Sequence, residues 1–169
     1  MTPLTDEIIS VKSCKSLEDY NFIEACMNSE EFGKFIGERL NHVNQNYYLL
    51  KKDEKYVGCF SLNIDNSLGV SICAPNIYIS NRAYSLHGLF KVVSYIMNEC
   101  DVDKISIRVY GFNKKFISLL KKLSIHCEGV LKYSHVHGNV LTDMHLFSIL
   151  KSELKSHSIK LNERYNKKC

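Results

Sequence analysis

Three β-rich runs follow one another in the middle of the chain, "NYYLLKK", "YVGCFSLNI" and "GVSICAPNIYIS", and then the hydrophobic period changes. Short polar breaks such as "DNS" separate the runs, and that turn chemistry makes them an antiparallel meander. From Leu86 onward the apolar side chains Leu86, Leu89, Phe90, Val93, Ile96 and Met97 recur every three or four residues, which predicts a helix laid along one face of a sheet. "KISIRVYGF" returns to a period of two, with Ile105, Ile107 and Val109 against Ser106, Arg108 and Tyr110, the pattern of a half-buried strand. A meander, a crossover helix and a further strand define a mixed α+β domain around one sheet.

The flanking segments extend this order. A strand is expected near "EIISVKSC". Ser16 with Asp19 forms a capping box for a helix carrying Leu17, Tyr20, Ile23 and Cys26 or Met27 inward, and a second helix follows near "SEEFGKFIGERL". Beyond the central strand, Asn113 caps "KKFISLLKKL", with Phe116, Leu119, Leu120 and Leu123 inward, and "CEGVLKYSHV" and "TDMHLFSIL" read as closing strands. The expected order is β-α-α-β-β-β-α-β-α-β-β, about seven strands and four helices. Pro75 has no N–H to give a ladder, so its strand is expected to bulge or to open at one edge near residues 74–76.

Length and composition bound the rest. A chain of 169 residues, 45% hydrophobic and with no repeat or Pro/Gly-rich linker, suits one domain over residues 1–154 with a basic tail over 155–169. Lys151, Lys155, Lys160, Arg164, Lys167 and Lys168 against Glu153 and Glu163 carry the whole formal excess of +4. That stretch reads as a solvated end before it reads as a nucleic-acid contact. No apolar stretch is long enough to span a bilayer, and "MTPLTDEIIS" has no signal-peptide pattern, so no membrane association and a cytoplasmic location are expected. The 7 cysteines are scattered, with no Cys-x-x-Cys pair, and read as reduced thiols. His135 and His137 share a strand face, but without further ligands nearby no metal is expected. Abundant Lys, Asn, Ile and Tyr fit an AT-rich, phage-like gene.

The stretch "ISIRVYGFNKKFISLLKKLSIHCEGVLKYSHVHGNVLTDMHLFSILKSEL" resembles the C-terminal half of ribosomal-protein and small-molecule acetyltransferases in the GCN5-related N-acetyltransferase superfamily. The shared features fall on Asn113 at a strand end, Leu123, Ser124 and Ile125 at a turn, Glu128 with Gly129, a hairpin at Gly138, Asp143 and Glu153. Ser124 and Ile125 stand where the family has glycine and phenylalanine, and residues 5–100 agree in element order alone.

The resemblance implies acetyl transfer from acetyl-CoA, as co-substrate, to a primary amine of a protein or small molecule, by a monomer or homodimer. Positioning and polarisation of the thioester would supply most of such a rate. The pantetheine arm would bond the backbone around Ile77 and Ile79. The pyrophosphate would sit at the start of the central helix, where the family has Arg/Gln-x-x-Gly-x-Gly/Ala. Here Arg82 leads, Ser85 and His87 replace the small residues, and Gly88 comes one step late. Three readings of this loop stay open. Its amides hold phosphate with Ser85 capping the helix and Arg82 or His87 assisting; Tyr84 and His87 block the site; or the pocket has been rebuilt. Asn113 caps its helix or also faces the CoA thiol. Leu120 occupies the place of the family's general-acid tyrosine, and Glu128, His145, Ser71 and Cys73 are candidate bases. The rival reading is an inactive protein on this fold, binding a protein or nucleic-acid partner through the basic tail or the face near Tyr47 and Tyr48.

Overall fold

The computed structural model describes residues 9–30, 46–80 and 82–153, with Arg82 described through its backbone alone. The second helix expected near residues 29–40 and the basic tail lie outside the described residues. The elements are β1 (Ser10–Ser13), α1 (Leu17–Asn28), β2 (Asn46–Lys52), β3 (Lys55–Asp65), β4 (Ile72–Ile79), a 3-10 turn (Arg82–Tyr84), α2 (Ser85–Glu99), β5 (Lys104–Tyr110), α3 (Lys114–Lys122), β6 (His126–His137) and β7 (Val140–Leu150). A short 3-10 turn, Lys151–Glu153, ends the described chain. No helix among the described residues is long and apolar enough to cross a membrane.

The strands form one 7-stranded sheet in the order β1-β2-β3-β4-β5-β7-β6. Every pairing is antiparallel except β4 with β5, which α2 joins by a crossover. This is the α+β architecture that the order of patterns predicted.

The strand period sorts side chains onto two faces. Leu50, Phe60, Ile105, Ile107, Val109 and Phe147 pack in one cluster with Leu89, Val92, Val93 and Ile96 of α2 and with Ile117 and Leu120 of α3. On the opposite face Tyr47, Leu49 and Cys59 meet Ile23 and Cys26 of α1. Both helix-bearing faces are dry, which explains why β3 is buried continuously from Val57 to Ser61 rather than alternating. Tyr48 is half-buried, its ring 5.0 Å from Phe60 and 5.0 Å from Tyr95. The tyrosine face considered for partner binding is therefore part of the interior.

In α1 the capping box is formed as expected: Ser16 Oγ accepts from Asp19 N–H, and Asp19 accepts from Ser16 N–H. The helix is rolled relative to its apolar pattern. Leu17 is 77% and Tyr20 54% exposed, while the buried positions are Asp19, Ile23 and Cys26. Asp19 sets this orientation, because its carboxylate receives Lys12 Nζ, two backbone N–H groups and Tyr56 Oη, and a charge with that many partners cannot be turned to solvent without losing them.

Helix α3 ends in a Schellman motif: Ile125 N–H donates to Leu120 O and Ser124 N–H to Lys121 O. Ser124 sits at φ 58°, the left-handed conformation that favours glycine. Ser124→Gly is expected to stabilise the protein by about 1 kcal/mol, measured as a raised urea midpoint with unchanged slope. No gain would mean that the serine is unstrained there. The hairpin from β6 to β7 turns through Gly138 at φ 60° and Asn139, a two-residue loop with glycine first.

Candidate active-site cleft

Pro75 governs the centre of the sheet. The β3–β4 register runs unbroken from Gly58↔Ile79 to Asp65↔Ile72, so of the two expected outcomes, bulge or opening, the strand takes the second. β4 pairs with β5 only at Ile72↔Lys104 and Cys73↔Ile105. Ser80 N–H donates to Val57 O at 3.0 Å, which fixes the phase of the ladder. Main-chain groups alternate along a strand, so Tyr78, Asn76 and Ala74 bond to β3, whereas Ile79, Ile77 and Pro75 turn theirs toward β5. Pro75 occupies the first rung past the ladder and has no hydrogen to donate. Beyond it, Ile77 and Ile79 face a gap in which they have no ladder partner among the described residues.

Helix α2 begins above the end of β4. Tyr84 is its N-cap, in αR conformation and with no side-chain capping bond; the cap expected of Ser85 is not made, because Ser85 is already the first helical residue. The first turn has no acidic side chain, so the positive end of the helix dipole is not neutralised there. The Tyr84 ring packs toward the core, and its hydroxyl lies 3.4 Å from Lys52 Nζ on β2. β2 lies on the side of β4 away from β5, so the tyrosine leans away from the gap.

Gly88 does something other than face a ligand. It is buried, and a Cβ there would stand 2.6 Å from Ile79 Cδ1, so the missing side chain lets α2 approach the strand that borders the gap. His87, one residue before it, is half-buried. The Arg82 side chain lies outside the described residues.

At the end of β5, Asn113 Oδ1 accepts from Phe116 N–H at 3.3 Å and caps α3. The four candidate bases stand elsewhere. Glu128 is on β6, which β7 and β5 separate from the gap, and it is ion-paired with Lys104, which holds its carboxyl below the usual range. Ser71 is at the closed end, its carbonyl accepting from Asp103 and Lys104 N–H groups. Cys73 is fully buried, and burial pushes its thiol up to about 12. His145, on β7, pairs with Val109 on the side of β5 away from β4.

Sequence reasoning missed an aromatic array that runs from the end of β5 to β6. Tyr110 and Phe112 lie 5.6 Å apart in nearly parallel planes, with His135 4.3 Å from Tyr110 and His137 4.3 Å from Phe112. The signal was present as two Aro-x-Aro pairs at strand spacing, read separately. His135 and His137 thus stack on neighbouring rings, and no group of three metal-binding side chains occurs among the described residues. The six described cysteines are free thiols.

No family model and no curated protein matches the sequence. The structure, in contrast, is similar to the spermidine N-acetyltransferase of Vibrio cholerae determined with CoA and spermine, with a TM-score of 0.72 at 14% identity over 85% of this chain and 96% of that one. It is also similar to the smu.2055 protein of Streptococcus mutans, with a TM-score of 0.66 at 17% identity over 85% and 99% of the two chains. The class defined by the sheet order and the parted strands is the GCN5-related N-acetyltransferase fold.

Proposed function

We propose that the protein transfers an acetyl group from acetyl-CoA to a primary amine. The carrying observation is the gap between β4 and β5, where Ile77 and Ile79 turn main-chain donors and acceptors to a strand that is not there. An extended pantetheine arm, with its own amides, satisfies such groups as a strand would. In this reading the N–H groups of Ser85 and Leu86, in the first turn of α2 where no side chain caps the helix, receive the pyrophosphate, and Gly88 lets the helix sit close enough to do so. The bond made is from the amine nitrogen to the thioester carbonyl carbon, and the bond broken is carbon to sulfur. The amine's proton goes to water, since Glu128, His145, Ser71 and Cys73 all stand away from the gap. Asn113 acts by holding the start of α3 at the open end of β5. The bound spermine of the Vibrio structure makes polyamines the first acceptors to try.

Saturation with CoA at about 100 times Kd should stabilise the fold by about 2.7 kcal/mol, a rise in Tm of roughly 5–10 °C for a chain of this size. Acetyl-CoA with a panel of amines, spermidine included, should give an acetylated product by mass spectrometry. No thermal shift at millimolar CoA sinks the reading. A second reading, a binding protein that has lost catalysis, is favoured by the use of Gly88 for packing and the bulk of Ser85 and His87 in the loop. A thermal shift without product from any amine would support it.

A further inference from the structure

A cavity of about 540 Å³ lies along the flank of α3, lined by Gly111, Lys114, Ile117, Ser118, Lys121, Lys122 and His145. No residue of β4 or α2 contributes to it.

Its polar side chains are donors. Lys114, Lys121 and Lys122 present ammonium groups and Ser118 a hydroxyl. His145 Nδ1 is buried without a hydrogen-bond partner. An orphaned buried N–H is rarer than an orphaned acceptor, so we assign the ring N–H to Nε2, which makes that nitrogen a donor.

Counter-charge is missing. Lys12, Lys51, Lys104, Lys132 and Lys151 each have a carboxylate within 4.0 Å, whereas Lys114, Lys121 and Lys122 have none among the described residues. From Asn113 to Cys127 the sequence contains no Asp or Glu. Asp143, two residues before His145 on β7, is already engaged by Lys132 Nζ and Tyr133 N–H. Lysines clustered on one flank of a short helix repel one another, and a ligand that accepts hydrogen bonds and carries several negative charges relieves that repulsion.

We propose that this cavity is a second ligand site, separate from the acyl-transfer cleft, which takes a small anion bearing more than one phosphate group. The lysines supply charge at both ends of the flank, about two helical turns apart, and Ser118 and His145 supply directed bonds between them.

The test is calorimetric titration of the full chain with inorganic pyrophosphate at low salt, alone and with saturating CoA. A site that persists under saturating CoA is expected, and Lys121→Gln with Lys122→Gln should weaken that site at least tenfold. Lys91→Gln, on α2, should leave it unchanged. Because those lysines are exposed, the variants should keep their Tm, and Lys114→Gln alone gives an independent reading if the double variant misfolds. Binding abolished by CoA would place the anion in the cleft and overturn the proposal. So would unchanged binding in the lysine variants, the absence of any heat at millimolar pyrophosphate, or binding of duplex DNA but not of pyrophosphate.

Discussion

Asp19→Ala is expected to cost about 2–3 kcal/mol, because it leaves the Tyr56 hydroxyl and the Lys15 and Ser16 N–H groups without their acceptor, while Lys12, 42% exposed, turns to water. The Asp19 side chain is fully buried, with Lys12 Nζ 2.8 Å and 2.9 Å from its two oxygens and Tyr56 Oη at 2.8 Å. It also accepts from the N–H groups of Lys15 and Ser16, so one carboxylate ties β1, the turn before α1, and β3 together. Lys12 is the main cause that holds this carboxyl far below the usual range. The sign follows: the unfolded chain takes up a proton near the ordinary value of about 3.9, while the folded chain does not. The contribution is complete above that pH and is lost progressively below it, so the protein loses stability as pH falls under about 4. At the alkaline end, the bond to Asp19 pushes the Tyr56 hydroxyl up to about 12, and its contribution, intact below the ordinary tyrosine value of about 10, fades as pH rises toward 12. Urea unfolding of Asp19→Ala between pH 3 and 7 should show a flatter acid limb than the parent. A loss under about 1 kcal/mol at pH 7 would show that the cluster contributes little.

Gly58→Ala is the second large effect. A Cβ at Gly58 would stand 2.3 Å from the Tyr78 carbonyl oxygen and 3.2 Å from Ile79 Cα, both backbone atoms that cannot rotate away. The closeness arises from the β2–β3 ladder, where pairing passes from Leu50↔Gly58 to Lys51↔Tyr56 and leaves Val57 as an extra residue in β3. Relieving the overlap means pushing the end of β4 outward, at a cost of about 2–3 kcal/mol. The same displacement moves Ile79, so CoA-induced stabilisation should fall along with Tm. Gly129→Ala is the control, since a Cβ there meets nothing within 4 Å, and it should stay within about 0.5 kcal/mol of the parent. Equal Tm values for the two variants would refute the steric account.

What could be read from the sequence was whatever depends on neighbours a few residues apart. The Ser16–Asp19 box, the alternation of Ile105, Ile107 and Val109, and the cap at Asn113 are local, and all three are present in the structure. The missing N–H of Pro75 marked where the sheet parts, since a proline's deficiency travels with it into any fold. What escaped depends on residues far apart in the chain. Leu17 and Tyr20 are outside because Lys12 and Tyr56 claim Asp19, and no helical periodicity records that. Gly88 looked like a displaced phosphate-loop glycine until Ile79 was seen beneath it. The stacking of His135 on Tyr110 and His137 on Phe112 needs the strand order β5-β7-β6 before the pairs can meet.

The brevity of the β4–β5 ladder has a mechanical meaning. The sheet is two plates, β1 to β4 and β5 to β6, riveted at Ile72–Cys73 and Lys104–Ile105 and braced from one side by α2. Swinging one plate against the other about that rivet breaks no strand-to-strand bond, so the width of the slot is set by side-chain packing under the brace. A guest wedged into it strains side chains that can repack and leaves the lattice of main-chain bonds intact.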